Sequence, residues 1–207
     1  MTGMVHVDRL VGRIPVVVRA GLAALILCGL ILAMVLERAS ILRNGTTIRL
    51  ATVPVDPRDL FRGDYVVLSY EIGTLNLTRL GVTTAVERNQ IIHVGLRARP
   101  DGKAEPVKLA REGDARAADL VWLQAKSGYT SGCTAMPERT DGCSENDSIL
   151  RVTYGLESYF VPQGEGRSIE TTQASRVEIL AAVTASGKSA IKSLLIDGKP
   201  VYDEPPY

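Results

Sequence analysis

The chain has 207 residues, 23% of them charged, and a formal net charge of +1. So even a balance excludes nucleic acid as the principal partner, because phosphate binding needs a basic face. Two His and three Cys are too few for a His/Cys zinc site of ordinary spacing, so no metal and no cofactor is expected.

The first element is an uncharged run from Ala20 to Leu36, AGLAALILCGLILAMVL. As a helix it is about 25 Å long, near the lower limit for crossing a hydrocarbon core. Pro15 to Val18 extend it, and Arg19 can lay its apolar stem along the helix with its guanidinium among head groups. Apolar residues surround the axis, which predicts a transmembrane signal anchor over 15–36 in contact with the lipid bilayer. Arg9, Arg13 and Arg19 precede or open this span against Asp8, while Glu37 and Arg38 after it cancel. The positive-inside rule makes residues 1–14 a cytoplasmic stub and sends residues 44–207 to the periplasmic side of a bacterial inner membrane. Glu37-Arg38-Ala39 is a poor cleavage site, so the span is expected to be retained. Leu27 before Cys28 lacks the small residue a lipoprotein needs, and Cys28 reads as a small apolar residue in the span.

Residues 44–207 carry 19 Lys+Arg against 21 Asp+Glu and are long enough for one core. Strands are predicted at 47–53, 65–72, 91–97, 107–111, 120–126, 149–156, 159–161, 176–184, 190–196 and 200–202. The run YVVLSYEI at 65–72 has large apolar groups on both faces and reads as a central strand covered on both sides. Turns are signalled at Pro100-Asp101-Gly102, Ser186-Gly187 and Asp197-Gly198. Short helices are expected at 115–119 and 167–174. The predicted fold is mainly β, an antiparallel sheet or barrel-like domain with short helices, behind one transmembrane helix.

Residues 128–148 read as a polar loop insertion carrying Cys133 and Cys143. In an oxidising compartment this pair is expected to form a disulfide, contributing about 2–3 kcal/mol in the chain-entropy model.

The most informative stretch is VPVDPRDLFRGDYVVLSYE at 53–71. Asp56 suits an N-cap, Pro57 a first helical position, and Asp59 a capping box. Gly63 can take the positive φ that ends such a turn. The segment resembles a bacterial family named for its motif, GDYxxLxY, matched here by Gly63, Asp64, Tyr65, Leu68 and Tyr70. YGLESYFVPQGEGRSIE at 154–170 is similar to a second family stretch, with Leu156 in place of the usual Ile and Gln163 in place of the usual Glu. The resemblance covers most of residues 47–197. It implies a membrane-anchored bacterial protein and, as partner, an integral polytopic protein in the same membrane.

Two readings of the motif follow. In one it is structural: Gly63 makes the turn, Asp64 bonds amides or an Arg, and the tyrosines pack their rings. In the other, Asp56, Arg58, Arg62 and Asp64 meet Glu157 and Glu165 in a cleft between the two family stretches. The expected function is a non-catalytic binding or accessory subunit. The alternative is a signal-peptidase-like serine peptidase, which also pairs an N-terminal anchor with a β-domain. That reading lacks its nucleophile. Ser40 is the only serine between anchor and motif, and no lysine precedes Lys103, so no catalytic residue is assigned. Gly187-Lys188-Ser189 lacks the upstream glycine of a phosphate loop and reads as a hairpin turn.

Overall fold

The structure is a computed structural model, and it describes residues 15–53, 65–82, 84, 86–131, 148–160 and 176–204. Among these the chain is mainly β with a single N-terminal helix, as the sequence predicts. The chain forms two compact units, one ending at Ser40 and the other running from Ile41 to Pro206.

Helix α1 spans Val16–Asn44. At 1.5 Å per residue its 29 residues extend about 44 Å, longer than a hydrocarbon core. Its first five turns present Val16, Val17, Leu22, Leu25, Leu30 and Met34 outward, all more than half exposed. It is the one helix among the described residues long and apolar enough to cross a membrane.

The β unit contains twelve strands among the described residues. They are β1 (Thr46–Val53), β2 (Tyr65–Val67), β3 (Ser69–Tyr70), β4 (Thr74–Asn76), β5 (Ile91–Ala98) and β6 (Ala104–Arg111). Then come β7 (Val121–Ser131), β8 (Ile149–Thr153), β9 (Ser158–Phe160), β10 (Val177–Val183), β11 (Ser189–Ile196) and β12 (Lys199–Asp203). One sheet has the order β12-β11-β10-β1-β3, a second β4-β8-β7-β5-β6, and β2 and β9 form a separate two-stranded ribbon. All ladders between named strands are antiparallel.

The sheets enclose one core, to which both contribute apolar side chains. Leu50, Ile179 and Leu194 come from the first sheet, and Leu75, Ile92, Val94, Leu123 and Leu150 from the second. All eight are fully buried, and each such side chain contributes about 1.5–3 kcal/mol relative to exposure. A smaller cluster joins Ile41 and Leu42, on the last turn of α1, to Ala182 and Ala190 on the other face of β10 and β11. Gly45 makes this turn into β1 feasible. A Cβ there would stand 2.6 Å from the Ile41 carbonyl and 2.8 Å from the Val183 amide nitrogen.

Two further joins hold the sheets. A bridge pairs Arg49 with Lys103, and the Glu178 carboxylate lies between the Arg49 guanidinium and Lys103 Nζ, the latter at 3.0 Å. On the other side the Gln124 amide donates to the Gly187 carbonyl at 2.9 Å.

Three expectations are corrected. Residues 65–72 are not one central strand: β2 belongs to the ribbon, β3 closes the edge of the first sheet, and Glu71–Gly73 is a 3-10 turn. The break falls at Leu68, whose side chain is buried while its amide donates to the Glu157 carbonyl at 2.8 Å. No helix forms at 115–119; residues 115–117 have no regular structure and 118–119 make a turn, with Arg116 reaching His93 and the Ala117 carbonyl accepting the Trp122 indole. Gly128–Ser131 belong to β7, not to a loop. A register shift between Ser127 and Thr130 accommodates Gly128, where a Cβ would stand 2.9 Å from the Arg151 carbonyl oxygen. β4 was not expected, being only three residues long. The expected helix at 167–174 lies outside the described residues.

Candidate functional site

The two family stretches are neighbours. Tyr65 pairs with Phe160, Val66 with Tyr159 and Val67 with Ser158, so the ribbon is built from one strand of each. Tyr70 on β3 sits opposite Thr52 of β1, and the Thr52 hydroxyl donates to the Val177 carbonyl at 2.7 Å.

Tyrosines lock this arrangement. The Tyr70 phenol donates to the Leu156 carbonyl. The Tyr154 phenol donates to the Ile72 carbonyl at 2.6 Å. Each tyrosine thus reaches across to main chain two residues from the other. Both are buried, at 3% and 7% exposure, so each bond also satisfies a carbonyl that water does not reach. Burial pushes both phenols well above the ordinary tyrosine range, and the Glu157 charge adds to the effect. Tyr159, also buried, sets its ring edge-on to Tyr202 of β12 with centroids 5.7 Å apart.

Glu157 works on its own loop. Its Oε1 accepts the Tyr154 amide at 2.6 Å, closing the turn in which Gly155 takes a φ of +75°. A residue with a Cβ resists that conformation.

Of the motif residues, Leu68 and Tyr70 are buried here and Tyr65 is placed in β2. Gly63 and Asp64 lie outside the described residues. Of the cleft residues Glu157 is described, while Asp56, Arg58, Arg62 and Glu165 lie outside. Cys133 and Cys143 lie outside as well. Sequence reasoning did not single out Tyr154, although it stands in the second family stretch as Tyr70 stands in the first. It also missed His93, discussed below, whose neighbours Arg116 and Gly187 are remote in sequence.

Away from the tyrosines, a recess of about 220 Å³ is lined by Leu42, Arg43, Lys192, Ser193, Asp203 and Glu204. The Ser193 hydroxyl donates to the Asp203 carboxylate inside it. Among the described residues no three His, Cys, Asp or Glu side chains stand together as a metal-binding group.

No curated protein and no solved structure shows a significant match to this chain. The family model for GDYXXLXY proteins matches residues 27–194, taking in most of α1's apolar run, both tyrosine stretches and the strands through β10 and most of β11. That match covers well over half of the sequence, and the chain belongs to the GDYXXLXY protein family.

Proposed function

We propose that the protein is a single-pass, membrane-anchored subunit whose β unit stands on the periplasmic side of a bacterial inner membrane. There it serves, without catalysing a reaction, as a binding or accessory partner of a polytopic protein in the same membrane. The observation that carries this reading is the commitment of one tyrosine from each family stretch. Tyr70 and Tyr154 give their hydroxyls to buried carbonyls and hold the β2–β9 ribbon beside β3. Phenols kept protonated by burial and spent on main chain are framework, not acid or base groups.

The orientation rests on Arg9, Arg13 and Arg19 ahead of the apolar run. A Cys133–Cys143 disulfide fits the same compartment. Its support is that Ser131 and Ile149, between which the cysteine segment leaves and returns, are cross-strand partners. The docking surface is assigned to the end of the domain from which the two family stretches continue. Tyr65 of the first stretch and Phe160 of the second are paired there.

Cross-linking in intact membranes, from a photoreactive residue at position 67 on the exposed side chain of β2, tests the reading. Capture of one defined polytopic membrane protein is expected. Capture of a polypeptide that the protein then cleaves overturns it and favours a peptidase.

A further inference from the structure

His93 is buried on β5, with 5% of its surface exposed. Ile92 and Val94 on either side face the core, so His93 faces the opposite side of the sheet. Arg116, in the connection after β6, places its Nη2 at 3.1 Å from His93 Nδ1 and 2.9 Å from Nε2. The turn between β10 and β11 closes on the same ring. Gly187 at its tip, with φ of +96°, leaves no room for a Cβ, which would stand 2.9 Å from His93 Cδ2 and 3.2 Å from the Trp122 carbonyl oxygen. The Gly187 carbonyl then accepts the Gln124 amide at 2.9 Å, joining the hairpin of one sheet to β7 of the other.

The charged groups acting on His93 among the described residues are Arg116 and, more weakly, Glu112 in the turn just after β6. The turn presents the Ser186 carbonyl to the ring, and β7 presents the uncharged Gln124 and Trp122. Arg116 Nη1 also reaches Ser186 O, at 3.5 Å. Burial first, and Arg116 second, hold the imidazole below its ordinary range, while the Ser186 carbonyl and Glu112 act in the other direction.

We propose that His93 is an acid-operated latch: protonation sets a second positive charge against Arg116 and releases the residue 184–188 turn from β7, opening the join between the two sheets at that side. The sign follows from the depressed affinity of the latched form for a proton. Latching is complete above the ordinary histidine value of about 6.5 and is lost as pH falls below it.

Trp122 is the only tryptophan in the chain and reports on the latch. Its carbonyl faces Gly187, and its indole Nε1 donates to the Ala117 carbonyl at 2.8 Å, next to Arg116. The test is a titration of Trp122 emission from pH 8 to pH 4, with the full chain in detergent micelles and far-ultraviolet circular dichroism recorded in parallel. A reversible emission change with a midpoint below pH 6.5 and constant dichroism is expected. His93→Gln should abolish the change. Arg116→Gln should move the midpoint upward, because the opposing charge is gone, and this variant decides the matter if His93→Gln does not fold. A flat wild-type titration, a transition that survives His93→Gln, an unmoved midpoint in Arg116→Gln, or dichroism lost together with emission overturns the proposal.

Discussion

Tyr70 and Tyr154 hold each other's main chain: one phenol binds the carbonyl of Leu156, the other that of Ile72. The family motif supplies the first tyrosine and the second family stretch supplies the other. Either tyrosine alone fastens one crossing, and together they fix β3, the 3-10 turn after it and the Tyr154–Glu157 turn as one piece.

Tyr70→Phe and Tyr154→Phe should each destabilise the protein by about 1–3 kcal/mol, since each leaves a buried carbonyl unpaired while keeping the ring. The double variant should depart from additivity by at least about 0.5 kcal/mol, as residues sharing one hydrogen-bonded unit do. Denaturant unfolding of the full chain in micelles measures both. Losses below a few tenths of a kcal/mol would show that the bonds are incidental.

The same two phenols set the alkaline limit. Their proton affinity is raised in the folded state, so the unfolded chain loses protons first as pH rises past about 10. Stability is therefore complete below pH 10 and should fall above it, by up to about 1.4 kcal/mol per pH unit for each tyrosine. Unfolding followed between pH 9 and pH 11.5 should show this slope, and each Phe variant should reduce it.

How much of this could be read from residues alone depends on the range of the forces involved. Apolar and β-branched runs bounded by turn residues place β1, β5, β10 and β11 almost to the residue; β5, β10 and β11 are buried over most of their length, and only β1 shows an alternating stretch. Turn chemistry placed the 186–187 and 197–198 reversals, where Gly187, Asp197 and Gly198 all take positive φ. Leu68 was misread because the two apolar faces of YVVLSYEI look like one buried strand. Only a partner 89 residues away, the Glu157 carbonyl, turns the chain there. The Arg116–His93 contact and the Glu178 cluster are likewise invisible, since side-chain meetings between segments far apart in sequence leave no spacing to read.

Glu178→Gln should cost about 1–3 kcal/mol. The carboxylate is nearly buried and answers two cations, but Arg49 and Lys103 keep about 31% and 26% of their side chains in solvent, which screens part of the loss. Chemical denaturation of the variant, alone and with Lys103→Met, measures it; an unchanged midpoint would make the cluster ornamental.

Two glycine positions separate backbone strain from crowding. Gly155 has a φ of +75° and open space where a Cβ would stand, so Gly155→Ala should cost about 1 kcal/mol from conformation alone. Gly187→Ala adds a clash with the His93 ring and should cost at least about 1 kcal/mol more. Equal effects in thermal unfolding would contradict the packing of the 184–188 turn on His93.

The proposed role requires the β unit to lie outside the cytoplasm. A reporter enzyme that folds only outside the cytoplasm, fused behind Tyr207 and compared with a fluorescent protein that matures only inside, decides this in intact cells. The first fusion should be active and the second dark. A bright cytoplasmic fusion with an inactive exported reporter would contradict the anchor's orientation, the disulfide and the envelope role together.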